Sequence, residues 1–212
     1  MTSEVAKLKP RSADKHEEVL DIASENFLGK GFDGTSINVM ARDAGISKES
    51  IYRYFGSKED LFLAVVEREL SYYGNGMLET TVNYQDETFR EALLKVAEAT
   101  LRLVSTDRTL ALRRLVFQMT ANGSKVGTHY YAAGPDTGYR NLMQLFDYYK
   151  PKSVFSHDKL SRYFPAVVMH RSTLQRECGV LGNLSDEEVK RQCEDAVDDF
   201  LQAFCPEETR NQ

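Results

Sequence analysis

The chain has 212 residues, of which 28% are charged and 42% are hydrophobic, and its formal net charge is −5. This composition is typical of a globular protein with one sizeable core, or with a small domain joined to a larger one. The negative charge argues against a protein that coats nucleic acid indiscriminately, although a local basic face can still contact phosphates.

Neither a membrane segment nor an export signal is evident. The apolar runs are short and interrupted by charge, and none approaches the roughly 20 residues that a membrane-spanning helix needs. The N-terminal residues MTSEVAKLKPRSADKHEE lack the apolar segment of a signal peptide. We therefore expect a cytoplasmic protein with no membrane partner.

The three cysteines, Cys178, Cys193 and Cys205, form no CxxC pair. Their odd number and their spacing predict free thiols rather than a disulfide framework or a metal site. No spacing of His, Asp or Glu suggests a metal ion either, and we expect no cofactor.

The first predicted element is a helix that begins near Asp14. Residues 1–12 before it are polar and without periodicity, and we interpret them as a flexible arm. The helix ends at Gly29 and Gly31, the usual C-terminal residues. Its apolar side chains recur at helical spacing: Val19, Leu20, Ala23, Phe27 and Leu28.

Two short amphipathic segments follow, separated by a tight turn. Thr35 or Ser36 caps the second helix, and Gly45 stands where a helix end needs a left-handed residue. Ser47 then caps a third helix, which Gly56 ends. Two helices joined by a turn of about three or four residues with a glycine are typical of a helix-turn-helix.

The third helix has only about two turns and is too short to be stable alone. Ile51 and Phe55 are four residues apart and point inward, so packing through them must hold it. Tyr52, Arg53 and Tyr54 are left on or near the outer face, which is free for other contacts.

From Lys58 onward the pattern remains helical, without strand alternation. A fourth helix runs from Lys58 to about Tyr73. Gly134-Pro135 interrupts a later segment, which is therefore either one kinked helix or two. The further helical segments are 87–104, a helix from Asp107 to Gly123, 125–149, 158–178 and 186–204.

The stretch GTSINVMARDAGISKESIYRYFGSKEDLF resembles the DNA-binding domain of TetR-type (TetR/AcrR) transcriptional regulators. The matching features are the Thr35-Ser36 cap, the Ala41-x-x-Ala44-Gly45-Ile46-Ser47 turn, Ile51-Tyr52-x-Tyr54-Phe55 and Ser57-Lys58-Glu59-Asp60-Leu61. The resemblance covers residues 14–62. It implies an all-α fold in which a three-helix helix-turn-helix domain, residues 13–57, precedes a larger ligand-binding and dimerisation domain, residues 58–212.

The resemblance also implies a function. We expect a repressor that binds a palindromic operator as a homodimer and is released by a small effector, partly apolar or aromatic. The alternative is a helical small-molecule-binding or adaptor protein without operator binding, and the hydroxyl groups and lysine of residues 35–58 argue against it. An enzyme is not expected, since the chain has no GxSxG elbow, no glycine-rich phosphate loop and no HExxH motif.

The residues expected to contact DNA surround the third helix. Lys48 and Ser50 are at its start, where base edges are reached first. Hydroxyl groups and amides at helix starts are expected to contact phosphates. The alternative for each residue is a cap or a solvated position. The full set is Thr35, Ser36, Ser47, Lys48, Ser50, Tyr52, Arg53, Tyr54 and Lys58.

The family places an effector pocket in the C-terminal domain and a dimer interface on the last two helices. An apolar pocket with a few polar groups is the usual composition, and core packing is the alternative for each candidate. The pocket candidates are Tyr73, Leu101, Phe117, Tyr130, Tyr131, Met143, Phe146, Met169, His170 and Thr173. The interface candidates are Leu160, Phe164, Val168, Val189, Cys193, Val197, Phe200 and Phe204.

Overall fold

A computed structural model describes residues 11–74 and 86–208, and the prediction of an all-α fold is confirmed for these ranges. The predicted arm lies almost wholly outside them. None of the described helices is long and apolar enough to cross a bilayer. The helices are α1 (Arg11–Gly34), α2 (Ile37–Asp43), α3 (Lys48–Phe55), α4 (Lys58–Gly74), α5 (Phe89–Val104), α6 (Asp107–Ala121), α7 (Val126–Ala133), α8 (Pro135–Tyr149), α9 (His157–Glu177) and α10 (Asp186–Phe204).

The chain divides into two compact units, Met1–Glu69 and Leu70–Gln212. The boundary therefore lies inside α4 and not at residue 57, where the sequence placed it. The physical reason is that the first turns of α4 pack into the core of the first unit. Phe62 is fully buried there, with its ring 5.1 Å from that of Phe27 on α1.

Helix α1 changes direction at Gly31, near the predicted end. Gly31 has φ 74° and ψ 171°, a conformation that a residue with a Cβ rarely adopts. The break turns Phe32 back, so that its ring stacks on Phe27 at 5.7 Å. The loop into α2 is thereby fixed to the hydrophobic core.

One buried and one exposed polar contact also fasten α4 to α1. The Ser24 hydroxyl donates to the Glu69 carboxylate at 2.7 Å, and both residues are buried. Arg68 donates to Asp21 at 2.7 Å. A buried carboxylate such as that of Glu69 is costly unless it accepts hydrogen bonds, so the contact with Ser24 specifies how the two helices pair.

The core of the second unit is built from α5, α8, α9 and α10. Large aromatic rings meet at its centre, with Phe164 and Phe200 5.1 Å apart and Phe146 and Phe200 6.1 Å apart. The segment 125–149 forms two helices, α7 and α8. Pro135 starts α8, where its missing N–H costs nothing. A Cβ at Gly134 would lie 3.1 Å from Leu70, so a glycine permits this close approach.

The predicted dimer interface is wrong for most of its residues. Seven of the eight side chains are at most 2% exposed inside a single protomer, because this apolar stripe packs on α5 and α8. A side chain buried in its own protomer is not available to a partner. The seven are Leu160, Phe164, Val168, Val189, Cys193, Val197 and Phe200, whereas Phe204 is only partly buried.

Candidate nucleic-acid interface and effector region

Helix α3 is held by its caps and by one buried face. The Ser47 hydroxyl accepts a hydrogen bond from the Ser50 amide at 3.2 Å, and Gly56 ends the helix with φ 85°. Ile51 is buried, as predicted, and Phe55 packs on His16 of α1. The face opposite Ile51 remains exposed, so its polar side chains are available to a ligand.

Two cations on this exposed face lie against aromatic rings. The Lys48 ammonium lies 5.6 Å from the centre of the Tyr52 ring, one turn along the helix. The Arg53 guanidinium carbon is 5.7 Å from the Tyr54 ring, and Arg53 also donates to the Ser50 hydroxyl at 3.3 Å. Such contacts orient the cations on the exposed face of the helix.

The acidic residue of α3 is turned back onto the helix start. The Glu49 carboxylate accepts hydrogen bonds from its own backbone amide and from the Ser47 hydroxyl, and these bonds lower the pKa of Glu49. A negative charge at a helix N-terminus is favoured by the helix dipole. The carboxylate is therefore occupied locally, beside the exposed cations.

Lys58 stands at the start of α4. Its ammonium lies 4.6 Å from the centre of the Phe32 ring. Ser57 caps this helix by accepting from the Asp60 amide at 3.0 Å, and its hydroxyl donates to the Asp60 carboxylate at 2.6 Å. The lysine is thus placed at a well-formed helix N-terminus, the position expected for a phosphate contact.

Thr35 does not have the exposed position that a phosphate contact through its hydroxyl needs. Its side chain is buried, with 4% exposure, and the hydroxyl donates to the carbonyls of Gly31 at 2.7 Å and Asn26 at 3.1 Å. It joins the break in α1 to the start of α2. Ser36 is exposed and makes no capping bond with its side chain, so it remains a candidate.

The pocket candidates are scattered in the structure. Leu101 and Phe146 belong to the core, and Phe117 and Tyr131 are exposed. The side chains of Tyr73 and His170 lie outside the described residues. The remaining four are partly buried: Tyr130, Met143, Met169 and Thr173.

A polar cluster between α6 and α9 was missed by sequence reasoning. Arg113 on α6 contacts Glu177 at the end of α9, with 2.5 Å between Nε and Oε1. Arg176 is buried beside them. The signal that could have indicated it is the pair Arg113-Arg114 inside the apolar run LALRRLVF.

Comparison with known proteins agrees with this geometry. Residues 19–65 match the family described as bacterial regulatory proteins, tetR family, and residues 91–206 match the AefR-like transcriptional repressor, C-terminal domain. The chain belongs to the TetR family. It is therefore a DNA-binding transcriptional regulator and not an enzyme.

Relatives of this TetR-family chain match more than nine tenths of its length. The HTH-type transcriptional regulator AcrR of Shigella flexneri is 25% identical over 213 residues, which is 94% of either chain. A putative TetR-family regulator from Mesorhizobium loti MAFF303099 has a similar structure, with a TM-score of 0.84 and 23% identity over 93% of this chain and 100% of that one. The flavonoid-responsive regulator FrrA has a TM-score of 0.77 and 24% identity, and the match covers 92% of this chain and 98% of FrrA.

Proposed function

We propose that this TetR-family regulator is a repressor that binds a palindromic operator as a homodimer and leaves it when a small molecule binds the C-terminal unit. The observation that carries the proposal is the exposed face of α3, where Lys48, Tyr52 and Arg53 are oriented above a buried Ile51. The match of the second unit to an AefR-like repressor domain supports repression.

The side chains of α3 and of the neighbouring helix starts divide into two roles. Lys48 and Arg53 donate to guanine acceptors in the major groove, and Tyr52 contacts a thymine methyl or a sugar. Phosphate contacts come from hydroxyl groups, helix-start amides and one ammonium group, which position the helix without reading sequence. These residues are Ser36, Ser47, Tyr54 and Lys58. Ser50 holds Arg53 in place.

A homodimer is expected to use the outer face of α9. Tyr163, Val167 and Leu174 recur there at helical spacing, and Leu174 is 60% exposed in a single protomer. At the end of α10, Phe204 lies 5.3 Å from Tyr163 and extends the same apolar surface. A two-fold dimer presents two recognition helices, which is why the operator is expected to be palindromic.

The proposal is tested by selecting duplex DNA from a random pool with the purified full chain, and then titrating the selected operator. Lys48→Ala and Tyr52→Ala are expected to weaken operator binding about tenfold or more, since a specific base contact contributes about 1–3 kcal/mol. Lys190→Ala is the matched control: it removes one exposed positive charge from α10 and leaves α3 unchanged.

Two results would contradict the proposal. If no sequence is enriched over bulk DNA, the chain is a helical ligand-binding or adaptor protein. If Lys48→Ala and Tyr52→Ala bind the operator as tightly as the wild type, the exposed face of α3 does not read the DNA. Circular dichroism of each variant shows whether it is folded.

A further inference from the structure

The polar cluster between α6 and α9 is built around Glu177, the last residue of α9. Its carboxylate accepts from Nε of Arg113 at 2.5 Å and from Nε of Arg114 at 3.0 Å. Arg114 also donates to the backbone carbonyls of Arg176 at 3.2 Å and of Glu177 at 2.9 Å. These bonds satisfy carbonyls at the end of α9 and fasten it to α6.

The cluster carries more positive than negative charge. Arg176, with a side chain only 3% exposed, donates to Asp107 at 2.8 Å. The three guanidinium groups of Arg113, Arg114 and Arg176 thus face two carboxylates, those of Glu177 and Asp107. The side chains of Arg113 and Arg176 are mostly buried, whereas that of Arg114 is 54% exposed. A buried cation is costly unless an opposite charge or hydrogen-bond acceptors balance it.

Three buried polar atoms of this cluster lack partners among the residues that the structure describes. They are Nη2 of Arg113, Nε of Arg176 and Oγ1 of Thr173. Thr173 and Glu177 are four residues apart, so they lie on the same face of α9. Buried donors without partners are rare in native proteins. Fastening α6 to α9 explains the bonds of Arg114 but leaves these three atoms unexplained.

Tyr130 on α7 lies within reach of the charges of the same cluster. Burial raises the pKa of its phenol above the ordinary value of 10.0, while the charge of Arg113 lowers it and that of Glu177 raises it. The phenol therefore stays protonated at neutral pH, and it can donate a hydrogen bond. Arg113, Thr173 and Tyr130 together present donors from three helices.

We propose that Arg113, Thr173 and Tyr130 bind a carboxylate group of the effector, so that the effector is an apolar or aromatic carboxylic acid. The assignment rests on the proposed function, because it names the chemistry of the molecule that releases the operator. Guanidinium has only donors and matches carboxylate oxygens in geometry and charge.

We expect the effector to have an apolar part next to its carboxylate group. Phe117 lies one turn beyond Arg113 on α6 and is 59% exposed, although it is a large aromatic residue. Met169 lies one turn before Thr173 on α9 and packs against the core. The effector's apolar part would cover these side chains, and the charged end would meet Arg113.

The test compares acids with their neutral amides on the full-length protein. The probes are benzoate, 2-naphthoate and decanoate, each paired with the corresponding amide, and binding is measured by calorimetry and by the rise in Tm. At least one acid is expected to raise Tm and to bind tenfold or more tightly than its amide, since a ligand of the native state stabilises it.

Variants of the cluster separate the binding role from the structural one. Arg113→Met and the near-isosteric Thr173→Val are each expected to weaken binding of the best acid tenfold or more. Arg114→Met is the matched control. It also removes a positive charge and a contact to Glu177, but it removes none of the unpartnered buried atoms. This variant should bind the acid as tightly as the wild type does. Thr173→Val keeps the test decisive if Arg113→Met does not fold.

Operator binding of the same preparations distinguishes failure of this site from failure of the proposed function. If no acid binds, if amides bind equally well, or if Arg113→Met and Thr173→Val bind the acid normally, the carboxylate site is overturned while operator binding can remain intact. Loss of sequence-specific DNA binding in the wild type would overturn the proposed function instead.

Discussion

The imidazole ring of His16 lies against the ring of Phe55, with centroids 4.6 Å apart and planes inclined by 30°. Tyr54 meets the same imidazole edge-on at 6.2 Å. The C-terminal end of α3, the proposed recognition helix, is thereby fastened to α1, while the buried Ile51 fixes its middle. A helix of eight residues depends on such contacts for its order.

Removing the Phe55 ring is expected to loosen α3. Phe55→Ala should lower the free energy of unfolding by about 2 kcal/mol, less than the 3–5 kcal/mol of a fully buried phenylalanine, because Phe55 is partly exposed. Denaturant titration measures this change. Tyr52→Ala on the exposed face is the control and should change stability by about 0.5 kcal/mol or less. Equal effects of the two variants would contradict the anchoring role.

Lys58 is expected to contact a phosphate and not a base. Lys58→Ala should weaken binding about equally on operator and non-operator DNA, and it should reduce the dependence of log affinity on log salt by about one. Anisotropy titrations at several salt concentrations measure both quantities. A loss confined to one position of the operator would show instead that Lys58 reads a base.

The proposed dimer surface leads to opposite predictions for the exposed and the buried apolar faces of the last two helices. Leu174→Glu should give folded monomers, because it puts a charge on the exposed face of α9. Phe200→Asp should instead unfold the second unit, with a loss of roughly 4 kcal/mol or more, since it buries an unpaired charge in the core. Sedimentation gives the mass and circular dichroism the helix content.

The control for the dimer experiment is Gln144→Glu, which adds the same charge to an exposed position of α8. It should remain dimeric. A dimer that persists in Leu174→Glu would refute the assignment of α9, and folded monomers of Phe200→Asp would restore the original stripe as the interface.

The three thiols are expected to differ in reactivity. Burial raises the pKa of Cys193 to about 12 and that of Cys205 to about 11, whereas Cys178 is exposed. Because the thiolate is the reactive species, one thiol per protomer should react quickly with a disulfide reagent at pH 8 and all three in denaturant. Cys178→Ser should abolish the fast phase, and a second fast thiol in the wild type would contradict the burial.

The raised pKa values of the two buried thiols predict that the stability of the fold decreases at high pH. The folded-state pKa values of Cys193 and Cys205 lie above the ordinary value of 9.0, so their neutral forms are favoured in the folded state. Their contribution to stability is fully present below pH 9 and is lost as the pH rises toward 11 and 12. A Cys193→Ala, Cys205→Ala variant should show a smaller loss of stability in that range.

Local sequence signals were enough to predict the helices of the first unit. Caps, the positive-φ glycines and the apolar spacing of residues 14–62 act over about four residues, and the sequence predicted α1 to α4 from them with small errors at the ends. The assignment of Thr35 failed, because a hydroxyl before a helix can equally face DNA or, as here, donate to the preceding turn.

The sequence by itself therefore determined the helices, the helix-turn-helix and the family of the protein. The tertiary structure alone decided which partner each apolar face packs against. Amphipathic periodicity shows that Phe200 is buried, but it does not distinguish a core from an interface. The tertiary structure also decided that Arg113 pairs with Glu177. These residues are 64 positions apart, and a pair so distant in the chain leaves no local pattern in the sequence.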